Sequence, residues 1–509
     1  MVRRIVLPLF IILALAGCTG SEGDGGPAGR VGDNPAGIYE IVMQYPIAGS
    51  VPSDLQMIED ALNLRIENEL GVRVKFYPVD ASEINSVTTL KVSSGEKLDL
   101  MISMFEGGIS SYVNRGMVIP LDDLIGEYGA DIIESQGMTM SGGIFQDRLY
   151  GIPTEEKLGR VNAFSARRDL VEKYSIEYDP DHIYSYEDLS GIFAKVKAGE
   201  GEDFYCVAIN SRDRPLFYYT DPADFLGSSL ASGCLPNHGA ESAGIINYYE
   251  SEGFAEACRY ARDWYEKGYF APDCNTTTET SLGLLLSGNY FGMFTHAELD
   301  MVASHSNALR RSLDTGVVPF YTSVPSSMTQ HYQITLWAIP VTCENPEKTM
   351  QWLNLMYADR DIINLLRFGI EGIHWNFAEG SDTVITSVEG APSHASPYNV
   401  WGDKSKNYVR VPLDETYYQK LREFNESIDK ISYALGYSFN NEPVGKEYAA
   451  VLDVIDTYQA NLALGVVDPD AIIPPFISAL KEAGIEEVIA ENQKQFDAWL
   501  NQSGLRRPR

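Results

Sequence analysis

The sequence predicts an α/β fold divided into two lobes. Segments typical of strands and helices alternate between Ile38 and Ile102, and this order favours a parallel sheet with right-handed crossovers. The helical segments carry apolar residues every three or four positions, which indicates one buried stripe each. With 509 residues, 44% of them apolar, the chain is too long for a single ordinary core.

The first lobe is predicted element by element from periodicity. Leu55, Ile58, Leu62, Ile66 and Leu70 share one helix face. Ser53 and Gln56 have the spacing of a capping box before this helix, and Gly71 is suited to end it. The predicted order is strand Ile38–Tyr45, helix 53–70, strand 72–76, helix Ser82–Val92 and strand Leu98–Ile102.

Later elements are less regular. Residues Ile144 to Pro153 predict a hairpin that turns at Asp147-Arg148. Strands are expected at Asn289–Thr295 and Ile334–Pro340, and a helix at Pro346–Tyr357. The last hundred residues are predicted to be mainly helical, and Pro474-Pro475 is expected to interrupt a helix there or to begin a new one.

The N-terminus carries the features of an export signal. Arg3 and Arg4 precede an apolar run from Ile5 to Ala16, which is too short to span a bilayer comfortably. Small residues and then Cys18 follow this run, an arrangement that resembles a bacterial lipoprotein signal. The resemblance implies a signal peptide at 1–17, diacylglycerol on the thiol of Cys18, and an extracytoplasmic protein anchored to the cell membrane by lipid. Residues 18–37 are rich in Gly, Asp and Pro and predict a flexible tether.

Charge and cysteine content limit the partners. The formal charge of −32 argues against nucleic acid as a partner, because phosphate binding needs a basic face. The five cysteines after Cys18 match no zinc spacing, and we expect no metal and no cofactor. Outside the cell, disulfides or buried free thiols are both compatible with their positions, Cys206, Cys234, Cys258, Cys274 and Cys343.

No motif of an enzyme stands out. The sequence holds no G-x-S-x-G elbow, no H-E-x-x-H pair and no phosphate-binding Walker loop. Paired acids such as Asp122-Asp123 are common in any acidic chain. We therefore expect a binding protein rather than a catalyst.

Several motifs resemble one family of transport proteins. They are Asp99–Met104 (DLMISM), Asn345–Asp359 (NPEKTMQWLNLMYAD) and Gly369–Trp375 (GIEGIHW), followed by a tail with Pro443-Val444 and Gly465–Pro469. Together they resemble the extracellular solute-binding lipoproteins of carbohydrate-type ABC importers, in the LipO-like branch with a C-terminal region like the domain DUF3502. Trp401–Lys404 departs from the stretch expected for that branch.

This resemblance implies a two-lobed, periplasmic-binding-protein-like (type II) fold with a hinge and a ligand cleft between the lobes. We expect residues 38–152 and about 288–335 in the N-terminal lobe, and 153–287 and about 336–509 in a helix-rich C-terminal lobe. The implied function is capture of a small solute, an oligosaccharide, by a monomer that delivers it to the permease subunits of an ABC importer.

Sugar binding needs aromatic faces for the C–H side of the ring and polar groups for the hydroxyls. Aromatic and acidic residues at predicted strand ends and loops supply both, although each of them is also a reasonable packing or surface residue. The expected ligand-binding residues are Tyr45, Phe105, Glu155, Tyr218, Tyr219, His296, Glu298, Glu371, Trp375 and Trp401. The sequence leaves open a peptide-binding or adhesion-type surface lipoprotein, and a glycan-active hydrolase with two carboxylates in a cleft.

Overall fold

A computed structural model describes residues 37–503, apart from 105–107, 155–156, 214–215, 221–222, 227–229 and 392–397. The predicted signal peptide, Cys18 and nearly all of the predicted tether lie outside the described residues. Within the described part, no helix is both long and apolar enough to cross a bilayer.

The strands alternate with helices through most of the described chain. Their bounds are β1 Tyr39–Ile47, β2 Val72–Asp80, β3 Met101–Met104, β4 Ile144–Phe145, β5 Arg148–Leu149, β6 Ile152–Pro153, β7 Asn162–Arg167, β8 Tyr205–Val207, β9 Tyr290–His296, β10 Val317–Tyr321, β11 Ser326–Ser327, β12 Thr335–Ala338, β13 Trp375–Phe377, β14 Val384–Ser387, β15 Val409–Arg410 and β16 Lys430–Ile431.

The helices become more frequent towards the C-terminus. Their bounds are α1 Leu55–Leu70, α2 Ile84–Ser93, α3 Gly108–Asn114, α4 Asp122–Tyr128, α5 Ala130–Gln136, α6 Arg168–Lys173, α7 Tyr186–Glu200, α8 Phe217–Thr220, α9 Glu252–Glu266, α10 Ser281–Leu286, α11 Leu299–Leu313, α12 Thr329–Tyr332, α13 Pro346–Ala358, α14 Arg360–Phe368, α15 Tyr417–Glu426, α16 Gly445–Ala463, α17 Pro469–Ala483 and α18 Ile485–Ser503.

The first lobe is built on β1, β2, β3, β6 and β12. Strands β1 and β2 pair in parallel, and a parallel bridge between Met43 and Leu100 connects them to the β3 edge. β12 pairs antiparallel with both β3 and β6. The buried stripe of α1 packs on this sheet together with Trp337 and Trp352, so the predicted alternation of strands and helices produces the expected α/β layers.

The second lobe is built on the sheet β10-β7-β9-β8 and on the helices α9, α16, α17 and α18. Strand β7 pairs antiparallel with both β9 and β10. The core of the second lobe is strongly aromatic, and the ring of Phe193 makes edge contacts with both Phe164 and Trp264. Val451 of α16 and Phe476 of α17 share a second core cluster with Phe254 of α9.

These pairings reverse the expected lobe of two segments. Residues 290–321, expected in the N-terminal lobe, belong to the sheet of the second lobe. Residues 335–366, expected almost entirely in the C-terminal lobe, pack on the sheet of the first lobe. The strand 335–338 pairs with β3 and buries Leu336 and Trp337 there. Short apolar strands have the same pattern in any buried sheet, so periodicity does not reveal which sheet they join.

Three local predictions also need correction. The predicted capping box of Ser53 and Gln56 does not form: helix α1 begins at Leu55 with Asp54 as its N-cap and has no side-chain cap, and the Asp54 carboxylate is bonded to His374. The hairpin turns at Gln146-Asp147, whose φ angles are 51° and 61°, one residue earlier than expected. Pro474 and Pro475 lie inside α17 without ending it, and the buried Phe476 and Leu480 hold this helix in the core.

The five cysteines are present as thiols, so the disulfide alternative does not hold for the described residues. Cys206 and Cys258 lie in the core of the second lobe, and burial raises the pKa of both to about 12. Thiols with such pKa values stay protonated and unreactive at neutral pH.

Candidate functional site: a cavity beside the hinge

Three chain segments run side by side between the two lobes in the described structure. The main-chain N–H of Arg160 donates to the carbonyl of Ser326 at 2.8 Å, and the N–H of Ser326 donates back at 2.9 Å. Ser326 and Ser327 also pair in parallel with Lys430 and Ile431 of β16. We call these segments, 157–161, 322–334 and 428–434, the hinge.

Tyr332 ties two of the hinge segments together through its side chain. Its Oη donates to the carbonyl oxygen of Leu158 at 2.6 Å and lies 2.6 Å from the hydroxyl of Ser327. The ring is fully buried. Two of the hinge segments are therefore held together by side-chain as well as main-chain hydrogen bonds.

A cavity of about 560 Å³ lies beside the hinge and is lined by residues of both lobes. This volume is within the range of small-molecule sites. Helix α3 and Phe145 contribute the wall of the first lobe, Gln330, Gln333 and Ile334 come from the hinge, and residues 438–452 complete the second-lobe side.

The polar lining of the cavity consists mainly of neutral groups. Its amides are Asn114, Gln330, Gln333 and Asn441, and its hydroxyls are Ser110, Ser111, Ser232 and Ser438. Amides and hydroxyls both donate and accept hydrogen bonds, as the hydroxyls of a sugar do. The apolar part includes Phe145, Phe439 and Tyr448.

Gln333 stands out among these groups. Its Nε2 is buried and has no hydrogen-bond partner. A buried donor without a partner costs roughly 1–3 kcal/mol, so a rotation of this amide that brings Nε2 to a ligand oxygen in the cavity would be stabilising. Gln330 and Gln333 are three residues apart on the same segment, which brings both amides to one wall.

Charge is sparse in this lining. Among the described residues that line the cavity, Arg115 is the only cation and Glu442 the only anion. A carboxylate-bearing sugar chain is best recognised by several Arg or Lys groups. The cavity therefore fits an uncharged polyhydroxylated ligand better than a polyanion.

Three of the predicted ligand-binding residues come together elsewhere, at the start of β7. The Nδ1 of His296 lies 2.9 Å from Oδ1 of Asn162, and the Nδ2 of Asn162 donates to the carbonyl of Tyr218 at 3.2 Å. The rings of Tyr219 and His296 are 6.1 Å apart. This group is half-buried and does not line the cavity.

Glu298 lies at the N-terminus of α11, beside a separate, mainly apolar pocket of about 530 Å³. Its Oε1 accepts a hydrogen bond from the N–H of Val161 at 3.3 Å, and its Oε2 is buried without a partner. Burial raises the pKa of this carboxyl above its ordinary value. The arrangement indicates a carboxyl that anchors a hinge segment.

The other predicted aromatics are core residues in this structure. Trp401 is 2% exposed and packs against Tyr45 and Trp337. Trp375 is 6% exposed and donates from Nε1 to the carbonyl of Gly369 at 3.0 Å. Because their faces are covered by protein, these rings are not presented to a sugar here.

The remaining predictions are dispersed. Glu371 is exposed next to the Trp375 strand, away from the cavity lining. Phe105 and Glu155 lie outside the described residues. The described part of the chain holds no group of three or more His, Cys, Asp or Glu residues arranged for a metal ion.

Sequence reasoning missed the amides. It selected aromatic and acidic residues at strand ends, whereas the cavity is lined by Asn, Gln and Ser from α3, the hinge and the segment before α16. The pair Gln330-x-x-Gln333 just before a predicted strand was the available signal, because two amides on one face next to a crossing point are suited to a ligand.

Comparison with known families agrees with this architecture. Residues 65–365 match the family of bacterial extracellular solute-binding proteins, which accounts for more than half of the chain. The chain belongs to this family. Residues 433–501 match a domain of unknown function, DUF3502, which forms the C-terminal helices beside the cavity. The family and the fold expected from the sequence motifs are confirmed.

Relatives of known description extend over almost the whole chain. A carbohydrate ABC transporter substrate-binding protein of Streptococcus pneumoniae is 25% identical, covering 96% of this chain and 95% of the relative. A polygalacturonan/rhamnogalacturonan-binding protein, YtcQ of Bacillus subtilis, is 21% identical, covering 89% and 90%.

Solved structures show the same fold. The crystal structure of the N-glycan transport solute binding protein NgtS of Streptococcus pneumoniae superimposes with a TM-score of 0.78 at 22% identity, covering 91% of this chain and all of that one. NgtS has also been solved in complex with Man5GlcNAc, and that structure matches with a TM-score of 0.70 at 23% identity, over 92% of this chain and all of the other. The two-lobed solute-binding fold is therefore shared.

Proposed function

We propose that this protein captures a neutral oligosaccharide outside the cell and delivers it to an ABC importer. The observation that carries the proposal is the cavity beside the hinge, whose described lining is dominated by amides and hydroxyls. Such groups match sugar hydroxyls in both donor and acceptor roles. Phe439 and Tyr448, which are half-buried, supply apolar surface for the C–H faces of the rings.

The relatives support a carbohydrate, and one of them is named for an anionic one. The substrate-binding protein of Streptococcus pneumoniae is described as a carbohydrate binder, and YtcQ as a binder of polygalacturonan, which is anionic. The single Arg in the described lining and the net charge of −32 favour an uncharged ligand here.

The family places the protein outside the cytoplasm, and the lipoprotein-like signal ending at Cys18 supports attachment to the membrane by lipid. Two or three acyl chains give stable attachment, because each buried methylene contributes about 0.8 kcal/mol. A tethered receptor keeps the captured solute next to the permease with which it works.

A binding screen tests the proposal directly. A soluble version that begins after Cys18 is tested by thermal shift and calorimetry against Man5GlcNAc, other neutral oligosaccharides, oligogalacturonate and a peptide mixture. We expect a neutral glycan to raise the melting temperature, because a ligand that binds only the folded state stabilises it. Binding of peptides alone would favour a surface peptide receptor, and release of reducing sugar would show a hydrolase; either result refutes the proposal.

A further inference from the structure

A row of side-chain amides connects the two lobes beside the cavity. Nε2 of Gln146 donates to Oδ1 of Asn114 at 3.0 Å, and Nδ2 of Asn114 donates to Oδ1 of Asn440 at 3.2 Å. The main-chain N–H of Asn440 donates to Oε1 of Gln495 at 3.0 Å, and Nε2 of Gln495 donates to the carbonyl of Asn440 at 2.8 Å.

The central bond of this row crosses between the lobes. Asn114 ends helix α3, whose Tyr112 and Val113 pack with Leu336 in the first lobe. Asn440 is fixed by Gln495 of α18, a helix whose Phe496 packs in the second lobe. Asn114 lines the cavity itself, and the neighbour of Asn440, Asn441, lines its opposite side.

We propose that the Asn114–Asn440 hydrogen bond is a latch that holds the two lobes together over the cavity. The proposal rests on the proposed function, since a latch matters only where the lobes open to admit a solute. Both asparagines are positioning residues: they set the balance between open and closed forms. One neutral hydrogen bond of this kind shifts such an equilibrium by about fivefold.

The direction of the bond makes the latch testable. Oδ1 of Asn114 already accepts from Gln146, so Nδ2 is the group that faces Asn440. Oδ1 of Asn440 accepts a second hydrogen bond, from the N–H of Glu442 at 3.0 Å. Position 114 must therefore donate across the gap, and position 440 need only accept.

Two isosteric variants distinguish the loss of this hydrogen bond from the effect of adding a negative charge. Asn114→Asp replaces the donor by a carboxylate oxygen that faces the oxygen of Asn440, and is expected to open the lobes. Asn440→Asp keeps the acceptor for both Asn114 and Glu442, and is expected to leave the closed form intact or to favour it. Both changes add the same charge at almost the same place.

The measurement is made without any sugar, by small-angle X-ray scattering and by hydrogen exchange of the segment Gln330–Ile334. We expect a larger radius of gyration and about fivefold faster exchange for Asn114→Asp, and wild-type or slower behaviour for Asn440→Asp. An unchanged Asn114→Asp protein, or equal opening in both variants, overturns the latch.

If Asn114→Asp does not fold, as judged by circular dichroism, Asn440→Ala removes the acceptor from the other lobe and is expected to open the protein in the same way; no opening overturns the latch. Because no sugar is present, the result is independent of the proposed function. Glycan binding together with unaltered opening would refute the latch alone, and a working latch without glycan binding would refute the proposed function alone.

Discussion

Gly159 lies so close to Ser326 that a β-carbon at position 159 would come within 2.5 Å of the Ser326 carbonyl oxygen and 2.8 Å of Cδ1 of Ile428. The three residues belong to the three segments of the hinge. Contact at this distance leaves no space for a side chain, so the spacing of the hinge segments depends on a glycine.

Gly159→Ala is therefore expected to destabilise the protein. The added methyl group forces the hinge segments apart, and overpacking of this kind costs about 1–3 kcal/mol. Differential scanning calorimetry should show a lower melting temperature. The matched control is Gly191→Ala in the middle of α7, where nothing lies within 4 Å of the added carbon; it is expected to be neutral or stabilising by about 0.5–1 kcal/mol. Equal effects of the two changes would contradict a tight hinge.

Glu298→Gln is expected to change how stability depends on pH. Burial raises the pKa of Glu298 in the folded protein, so the folded state binds its proton more tightly than the unfolded state does. Below the pKa of the unfolded state, about 4.3, the contribution of the protonated carboxyl to stability is fully present. This contribution is lost as pH rises through the pKa of the folded state. Gln keeps the acceptor for Val161 and never ionises.

The two proteins should therefore melt alike near pH 4, and the variant should melt about 1–2 °C higher at neutral pH. Calorimetry across this range checks the expectation. A gap that stays constant with pH would show that the carboxyl does not titrate between these values.

Trp401→Ala is expected to destabilise the protein rather than to affect sugar binding directly. The side chain is 2% exposed between Tyr45 and Trp337, and removing a buried Trp costs about 3–5 kcal/mol. Trp401→Phe should cost clearly less, because Nε1 of Trp401 has no hydrogen-bond partner to lose. Urea unfolding measures both. Weakened glycan binding at unchanged stability would instead place this ring in the cleft, as the sequence first indicated.

Gln333→Ala is expected to weaken binding of a neutral glycan about tenfold, because the amide lines the cavity and its Nε2 has no protein partner. The melting temperature without glycan should stay the same or rise, because the change also removes a buried donor that has no partner. Gln56→Ala on the exposed side of α1 serves as the control and should bind normally. Calorimetric titration with Man5GlcNAc, or with the neutral glycan that binds best in the screen, measures the difference; equal affinity would remove Gln333 from the site.

Cys18→Ala is expected to release the protein from the membrane fraction, because the thiol that would carry the acyl chains is missing. Cell fractionation followed by immunoblotting checks this. The lipoprotein signal peptidase inhibitor globomycin should alter processing of the wild-type chain in the same experiment. Normal membrane retention of the variant would argue against lipidation at Cys18.

The elements that were predicted well are those with local signals. Helix α1 was expected from five apolar residues on one face, and it ends at Gly71, whose φ of 64° suits a glycine. Strands β1, β2 and β9 also lie within one to four residues of their predicted bounds. The predicted capping box at Ser53 and Gln56 is wrong: the N-cap residue is Asp54, and its carboxylate is bonded to the distant His374 rather than to the helix.

The candidate site was harder to predict than the fold. Tryptophan is a residue type on which sugar rings stack, but in this fold other residues cover the rings of both Trp375 and Trp401. Asn114 and Asn440 carry no local signal, and they meet only because the lobes bring helix α3 beside the segment fixed by α18.

The sequence by itself determined the α/β class, the family and the order of helices and strands between residues 38 and 102, because periodicity and motifs are properties of neighbouring residues. The tertiary structure alone decided which sheet the strands after residue 288 join, which aromatics are buried, and which amides line the cavity. Those outcomes depend on contacts between residues hundreds of positions apart, and such contacts leave no periodic trace in the chain.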